Sequence, residues 1–331
     1  MTDLRGRTVL VTGADGFIGS HLTETLIREG ADVRAFCLYN SNGSLGWLDR
    51  SERAIRDALD VRLGDVRDAR FVEESCKGVD TVFHLAALIA IPYSYLAPQS
   101  FVETNVQGTL HVLEGARRAN CRRVIQTSTS EVYGTPDSLP IKETHPLKGQ
   151  SPYSATKIGA DKLCEAYHSA FEVPVTILRP FNTYGPRQSA RAVIPTILAQ
   201  LLCGQRIIRL GSVTPKRDLT FVTDTVAGFL AAASTDGLEG ETIQLGTGRT
   251  ESIADVFAAA CKVCGVNAEV EVDTQRVRPE RSEVMVLQSD PSLARARLGW
   301  EARVTLEDGL ASTAAWVKDN LSLFSIDRYA V

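Results

Sequence analysis

The chain has 331 residues, of which 44% are hydrophobic and 23% are charged, and its net charge at pH 7 is −4. This balance argues against a nucleic-acid partner, and no apolar run approaches the roughly 18 residues that a membrane span needs. The length predicts two domains with a cleft between them. Seven cysteines and no recognisable signal peptide lead us to expect a cytoplasmic protein with free thiols and no metal site.

Apolar, β-rich runs alternate along the first half of the chain with runs of helical period. In chain order, the strand-like runs are TVLVT, DVRAFCL, LDVRLGD, DTVFHLAAL, RVIQTSTS and VPVTILRP. Strands that are apolar throughout and separated by helices are typical of a parallel sheet covered on both faces. We therefore predict an α/β fold built on a doubly wound parallel (Rossmann) sheet.

This alternation loosens after Tyr184, which predicts a smaller C-terminal substrate-binding domain. Helices are expected near Ser252–Cys264 and Thr305–Lys318, and the CxxC pair Cys261 and Cys264 is assigned to packing of the first of them. The predicted division is a dinucleotide-binding domain of residues 1–182, to which 219–246 returns, and a second domain of residues 183–218 and 247–331.

Three glycines, Gly13, Gly16 and Gly19, lie between the first strand and the first helix. A tight turn, a close backbone approach and the packing of helix on strand each leave no room for a side chain at such positions. The N-terminus of the helix then offers free N–H groups to a pyrophosphate. The turn therefore predicts a bound dinucleotide.

The end of the second strand decides which dinucleotide binds, because an acid there holds the ribose 2′-hydroxyl and an arginine favours a 2′-phosphate. The sequence FCLYNSN has neither. We predict NAD, with Asn40 or Ser41 as ribose contacts, and NADP stays an alternative. His84, at the end of the fourth strand, is expected to pack rather than to catalyse. Contacts to the adenine and a floor of small residues are expected from Asp65, Val66, Leu85, Ala86 and Ala87.

Tyr153 and Lys157 lie four residues apart in SPYSATK, so they share one face of a helix. An ammonium beside a phenol favours the phenolate, which would make Tyr153 a base near neutral pH. Such pairs are common on ordinary helices, but this one follows a dinucleotide turn and the stretch STSEVYG, which begins at Ser128. We therefore predict an enzyme rather than a silent dinucleotide-binding sensor.

Together these motifs resemble the extended short-chain dehydrogenase/reductases, specifically the NAD-dependent nucleotide-sugar epimerase/dehydratase family. The resemblance covers nearly the whole chain and rests on TGADGFIG, GDVRD, HLAA, TNVQGT, STSEVYG, SPYSATK, RPFNTYGPRQ and RDLTFVTD. It implies cofactor contacts from Phe17, Ile18 and Asn105, and a homodimer built from helices near Gln99–Ala119 and Tyr153–Phe171. The stretches FCLYNSNGSLGWLD, GPRQSARAVIP and TPKRDLTFVTDT are most similar to GDP-N-acetylglucosamine 4,6-dehydratases of legionaminic-acid-type pathways.

The resemblance also implies a reaction. Tyr153 takes the proton of the sugar 4-hydroxyl, Thr129 binds that oxygen, and hydride passes from C4 to NAD, which Tyr153 and Lys157 also contact. Glu131 then removes the C5 proton, water leaves from C6, and the hydride returns to C6 to give a 4-keto-6-deoxy sugar. Ser130 stands where dTDP-glucose dehydratases have aspartate, so the acid for the C6 hydroxyl stays open between Ser130 and Glu131.

Glu131 favours a 4,6-dehydratase, because a 4-epimerase needs no base at C5. A 4-epimerase or a UDP-glucuronate decarboxylase on the same scaffold is the alternative. The nucleotide diphosphate of the substrate needs positive charge and rigid donors. By resemblance, substrate contacts are expected from Ser94, Asn182, Arg187, Arg191, Arg217, Arg278 and Arg281.

Overall fold

A computed structural model describes residues 3–277 and 279–324. Its strands, in chain order, are β1 (Thr8–Thr12), β2 (Asp32–Leu38), β3 (Asp60–Gly64), β4 (Thr81–His84), β5 (Arg123–Thr127), β6 (Val175–Pro180), β7 (Asn182–Tyr184), β8 (Ile207–Leu210), β9 (Lys216–Arg217), β10 (Leu219–Phe221), β11 (Thr242–Leu245), β12 (Glu251–Ser252), β13 (Glu269–Val272) and β14 (Val286–Leu287). Seven strands within these described ranges form one parallel sheet in the order β11-β6-β5-β4-β1-β2-β3. The predicted doubly wound α/β fold is confirmed.

Twelve α-helices surround the sheets in the described part of the chain. They are α1 (Phe17–Arg28), α2 (Arg53–Asp57), α3 (Ala69–Cys76), α4 (Ile91–Leu96), α5 (Pro98–Phe101), α6 (Gly108–Arg118), α7 (Pro152–Phe171), α8 (Val193–Leu202), α9 (Val222–Ser234), α10 (Ile253–Cys264), α11 (Ser292–Leu298) and α12 (Leu306–Asp319). A π-helix, Val102–Gln107, joins α5 to α6. Short 3₁₀ turns occur at Gly46–Arg50, Ser130–Tyr133, Thr274–Arg276, Glu280–Ser282 and Leu321–Leu323.

Both faces of the main sheet are covered, and β1 illustrates why its sequence is apolar throughout. Val9 and Val11 point into a core that they share with Leu22 of α1, whereas Leu10 points into the opposite core with Val112 of α6. All of these side chains are fully buried. Because successive side chains of a strand alternate between faces, a sheet with helices on both sides needs an apolar residue at every position.

The second half of the chain adds smaller sheets beside the carboxyl end of the main sheet. Strand β11 joins the main sheet beside β6, whereas β10 pairs with β7 outside it. The pairs β8 with β13 and β9 with both β12 and β14 complete this region, together with the packed helices α8, α10 and α12. The domain boundaries stay a prediction. Cys261 and Cys264 are free thiols on α10, packed against its core.

No helix in the described ranges is both long and apolar enough to cross a bilayer.

Candidate active site

The glycine turn between β1 and α1 forms a cradle at the carboxyl end of the sheet. Gly13 has φ +69°, and a Cβ there would lie 2.9 Å from the backbone of Ala86. A Cβ on Gly19 would lie 2.0 Å from the carbonyl oxygen of Gly13. Gly16 caps α1 without any side-chain hydrogen bond, so the first amides of the helix, including those of Phe17 and Ile18, have no capping acceptor. A cradle of this kind fits a pyrophosphate.

A hydrogen-bond network supports this cradle from below. Thr12 accepts from the amides of Leu85 and Ala86 through its hydroxyl oxygen, at 3.1 and 3.2 Å, and donates to Nδ1 of His84 at 2.7 Å. The other ring nitrogen of His84 lies 3.2 Å from the hydroxyl of Thr109. Burial and the charge of Lys157 lower the pKa of His84 to about 3, so the ring is neutral. This placement matches a packed, non-catalytic histidine.

Asn105 lies in the π-helix and continues the network to the catalytic helix. Its Oδ1 accepts from the amide of Leu88 at 2.8 Å, and its Nδ2 donates to the Leu88 carbonyl at 2.9 Å and to the Thr156 hydroxyl at 3.0 Å. The side chain is 1% exposed. Asn105 thus positions residues 85–88 against α7, and its expected contact with the cofactor stays a prediction.

Asp65 and Val66, which are predicted to contact the adenine, are held in different ways. Asp65 is ion-paired with Arg67 at 2.6 Å, and hydrogen bonds from Arg67 lower the pKa of its carboxyl. Val66 is buried beneath Gly108. A cavity of about 390 Å³ opens beside them. Its lining consists of Asp65, Arg67, Asp68, Glu103 and Gln107.

The loop after β2 is closed by Asn40 rather than open to a ligand. Nδ2 of Asn40 donates to the carbonyls of Leu38 and Ser44, at 3.2 and 2.8 Å, and its Oδ1 accepts from the Ser44 amide at 2.9 Å. The amide of Asn40 is used to fold the loop, and its expected contact with the ribose stays a prediction. Ser41 is exposed in the same loop.

Tyr153 and Lys157 lie on one face of α7, which begins at a capping box between Ser151 and Ser154. The Lys157 ammonium is buried and donates to the carbonyl of Thr127 at 2.5 Å. Burial raises the pKa of Tyr153, a hydrogen bond with Thr129 opposes this shift, and the charges of Glu131 and Asp161 add to it. Burial is the largest cause of this shift in the protein without a bound cofactor, and the expectation that Lys157 favours the phenolate of Tyr153 stays a prediction.

The strand β5 is followed at once by a short turn that carries Thr129, Ser130 and Glu131, of which Thr129 and Glu131 lie close to Tyr153. Thr129 precedes the 3₁₀ turn Ser130–Tyr133, and its hydroxyl oxygen accepts from the amide of Glu131 at 3.2 Å. Glu131 is partly buried, and no described residue donates a hydrogen bond to its carboxylate. Ser130 is 2% exposed. The turn therefore brings Thr129 and an unpaired carboxylate together beside the phenol of Tyr153.

A buried ion pair that sequence reasoning missed lies behind these residues. Arg179 of β6 donates twice to Oδ2 of Asp161, at 3.1 and 3.0 Å, and the Ser128 hydroxyl donates to the same oxygen at 2.8 Å. Asp161 follows Lys157 by four residues, and this spacing is the signal that could have indicated it. The pair fixes α7 against the ends of β5 and β6.

Comparison with known proteins assigns this arrangement to a family. The model of the GDP-mannose 4,6 dehydratase family matches residues 10–313. The chain belongs to the nucleotide-sugar epimerase/dehydratase family of extended short-chain dehydrogenase/reductases.

Relatives in this family have different activities. The chain is 33% identical to a dTDP-glucose 4,6-dehydratase of Actinoplanes sp., across 95% of this chain and 98% of the relative. It is 32% identical to a UDP-glucose 4-epimerase of Mycolicibacterium smegmatis, across 94% of this chain and 98% of the relative. The structure of the dTDP-glucose 4,6-dehydratase DesIV from Streptomyces venezuelae, solved with NAD bound, superposes with a TM-score of 0.85 at 30% identity, covering 96% and 99% of the two chains.

Three of the expected substrate contacts, Asn182, Arg217 and Arg281, have polar groups that a ligand could use. Asn182, on β7, has a buried Oδ1 without a hydrogen-bond donor. Arg217 is buried and paired with Glu283 at 2.9 Å. Arg281 is exposed, and its carbonyl accepts from the Gln150 side chain at 3.2 Å, immediately before α7. The guanidinium groups fit a negatively charged ligand, and the unsatisfied amide oxygen of Asn182 can accept from a hydroxyl or N–H of a polar ligand.

The other expected substrate contacts bond to neighbouring groups of the protein or lie outside the described residues. Arg187 donates to Glu24 of α1 at 2.8 Å, and Arg191 donates to the Ser189 hydroxyl at 3.1 Å. Ser94 is fully buried and donates to the carbonyl of Ile91 at 2.6 Å. The hydroxyl of Ser94 is thus used within α4, and its expected contact with the sugar stays a prediction. Arg278 lies outside the described residues.

Proposed function

We propose that the protein is an NAD-dependent nucleotide-sugar 4,6-dehydratase. Its substrate is a hexose linked to a nucleotide diphosphate, and its product is the 4-keto-6-deoxy sugar. Because of the sequence resemblance, the first substrate to test is an N-acetylglucosamine nucleotide, GDP-N-acetylglucosamine in particular.

The observation that carries this proposal is the carboxylate of Glu131. It lies close enough to Tyr153 for its charge to raise the pKa of the phenol, and it has no hydrogen-bond donor among the described residues. A 4-epimerase oxidises and reduces C4 and needs no base beyond Tyr153. Elimination of water across C5 and C6 needs a second base, and an unpaired carboxylate beside the first base supplies it.

The remaining residues of the turn and of α7 have separate tasks. The hydroxyl of Thr129 and the phenol of Tyr153 hold the sugar 4-oxygen, and Tyr153 takes its proton. Bound NAD would supply the hydride acceptor that oxidation at C4 needs and the hydride donor that reduction at C6 needs. Ser130, or Glu131 with the proton taken from C5, protonates the leaving C6 hydroxyl. Lys157 is held in the same buried site by the Thr127 carbonyl.

The assignment of NAD rests on the glycine cradle and on a relative. A side chain at Gly13 or Gly19 would collide with backbone atoms, so glycine is needed for the tight turn that leads into the N-terminus of α1. DesIV was solved with NAD bound. Gly13, Gly16 and Gly19, with the amides of Phe17 and Ile18, would hold the pyrophosphate, and residues 85–87 would form the floor of the site.

Asn182, Arg217 and Arg281 are proposed to hold the nucleotide diphosphate. Arg217 must then exchange the carboxylate of Glu283 for phosphate oxygens, since both compete for one buried guanidinium. Such an exchange keeps the arginine paired in both states, which avoids an isolated buried charge.

Incubation with UDP-, GDP-, CDP- and dTDP-hexoses, including GDP-N-acetylglucosamine and UDP-glucuronate, tests this function. We expect one substrate to lose one water molecule, detected by mass spectrometry, and the loss to disappear in Tyr153→Phe. An unchanged mass with inversion at C4 would show a 4-epimerase instead. Release of carbon dioxide from UDP-glucuronate would show a decarboxylase, and either result would overturn the dehydratase proposal.

A further inference from the structure

The end of β2 lacks the residue that usually selects between NAD and NADP. In this fold an acid there binds the adenosine ribose, or an arginine binds the 2′-phosphate. Here β2 ends at Leu38 and is followed by Tyr39, Asn40 and Ser41. Asn40 is committed to closing its own loop. Ser41 is exposed and uncharged, so a charged selecting group has to come from outside residues 38–41.

Asp15, in the glycine turn, reaches this same place. Its Oδ2 accepts from the amide of Leu38, the last residue of β2, at 3.4 Å. This bond is long, and among the described residues the other donor to the carboxylate is the backbone amide of Asp15 itself. Burial raises the pKa of Asp15, while backbone hydrogen bonds from Asp15 and Leu38 lower it. A partly buried carboxylate with spare acceptor capacity thus lies beside the strand end.

The loop after β2 is folded onto Asp15 and holds it in place. The amide of Trp47 donates to the Asp15 carbonyl at 3.1 Å. Gly46 has φ +59°, and a Cβ there would lie 2.5 Å from the same carbonyl oxygen and 2.9 Å from the Cβ of Asp15. Only glycine therefore permits this close approach. Contacts with Leu38 on one side, and with Gly46 and Trp47 on the other, thus fix the position of Asp15.

The charges around this place are unfavourable for a phosphate. A second carboxylate, Asp49, accepts from the Ser44 hydroxyl at 2.6 Å and from the Leu45 amide at 3.0 Å. Both Asp15 and Asp49 raise the pKa of buried Cys37. The loop of residues 39–50 contains a single cation, Arg50, which bonds to Asn320 and lies over the ring of Trp47. No cation in this loop is available to neutralise a 2′-phosphate.

We infer that Asp15, rather than a residue at the end of β2, binds the adenosine 2′-hydroxyl of the dinucleotide and excludes NADP. This inference rests on the proposed NAD-dependent function and assigns the residue that sets its cofactor specificity. A carboxylate accepts a hydrogen bond from a ribose hydroxyl but repels a phosphate at the same position. The residue that determines cofactor specificity thus lies in the glycine turn rather than at the end of β2.

The test measures binding of NAD, NADP and ADP-ribose to the full-length protein by calorimetry, after removal of retained dinucleotide and a check of refolding by circular dichroism. Wild type should bind NAD and ADP-ribose and discriminate against NADP. Asp15→Asn removes the charge but keeps the shape. We expect it to weaken NAD binding by roughly 10- to 100-fold, and to reduce the ratio of the two dissociation constants, NADP over NAD, by at least about tenfold.

Asp49→Asn is the matched control, because an amide oxygen can still accept from Ser44 and Leu45, and it should leave the ratio unchanged. Asp15→Ser should show the same loss of discrimination between NAD and NADP. It replaces Asp15→Asn as the test variant if Asp15→Asn does not fold. An unchanged ratio in both Asp15 variants, or an equal effect of Asp49→Asn, would overturn the assignment of Asp15. Wild type that binds neither dinucleotide nor ADP-ribose would instead overturn the proposed function.

Discussion

The backbone amide of Glu131 donates a hydrogen bond of 3.2 Å to the hydroxyl oxygen of Thr129. This contact fixes the carboxylate of Glu131 two residues after the group proposed to bind the sugar 4-oxygen. It also places the carboxylate within electrostatic reach of Tyr153. One short turn thus carries Thr129, proposed to bind the sugar 4-oxygen, together with the proposed base for C5.

We predict that Glu131→Gln retains oxidation at C4 but stops elimination. The amide keeps the size of the side chain and cannot accept the C5 proton, so dehydration should slow by about 10²- to 10⁴-fold. Rapid-quench mass spectrometry and absorbance should detect a 4-keto sugar that retains its C6 hydroxyl, together with reduced cofactor.

Glu74→Gln is the matched control, since Glu74 is exposed on α3 and pairs with Lys77. It should dehydrate like wild type, and in heavy water both should place solvent deuterium at C5 of the product. Dehydration by Glu131→Gln at nearly the wild-type rate would remove Glu131 from the role of base.

A second prediction concerns the pH dependence of stability. The pKa of His84 is about 3 in the folded protein and about 6.5 when unfolded, so protonation favours the unfolded state. The stability that this histidine contributes is complete above pH 6.5 and is lost as the pH falls towards 3. His84→Gln, which does not titrate, should remove this component.

Urea unfolding of both proteins at one protein concentration checks this. The difference in unfolding free energy between wild type and His84→Gln should shift by about 2 kcal/mol between pH 7 and pH 5, with wild type losing more. A difference that is constant with pH would mean that His84 is not neutral and buried in solution.

A third prediction concerns the ion pair between α1 and the segment after β7. Glu24 is 6% exposed, and it accepts from Ser51 at 2.5 Å and from Arg187 at 2.8 Å. Glu24→Gln leaves the guanidinium of Arg187 without a counter-charge in a largely buried place, which should cost about 3 kcal/mol of unfolding free energy. Glu52→Gln removes an exposed partner of Arg28 and should cost less than about 1 kcal/mol.

Denaturant unfolding of the two variants side by side measures this difference. Equal losses would show that the Glu24 pair behaves as a surface ion pair.

The fourth prediction is the homodimer implied by the family. Val102, at the start of the π-helix, is 47% exposed, and Phe171, at the end of α7, is 53% exposed. Both lie on the segments expected to form the interface, and apolar residues on a second face of a helix indicate a partner. Sedimentation at micromolar concentration should show a dimer, and Val102→Glu should shift it towards monomer.

Val61→Glu, on the edge strand β3, is the control, because Val61 is also exposed but lies away from these helices. A monomeric wild type, or equal dissociation in both variants, would contradict the predicted interface.

The sequence by itself determined the fold and the principal site motifs, because those signals are local. Unbroken apolar runs such as residues 8–12 predict strands buried on two faces, and the spacing of Gly13, Gly16 and Gly19 predicts the turn that follows. The four-residue spacing of Tyr153 and Lys157 predicts one shared helix face. In each case the physical constraint acts between residues that are near neighbours in the chain.

Only the tertiary structure decided which polar atoms are already used within the protein. Asn40 and Asn105 have the chemistry of ligand contacts, yet both amides bond to backbone groups of the protein. Glu24 and Arg187 form their ion pair across 163 residues, and Asp15 meets Leu38 across 23. The reason is that a hydrogen bond between distant residues depends on how elements pack, and neither periodicity nor spacing within a motif contains that information.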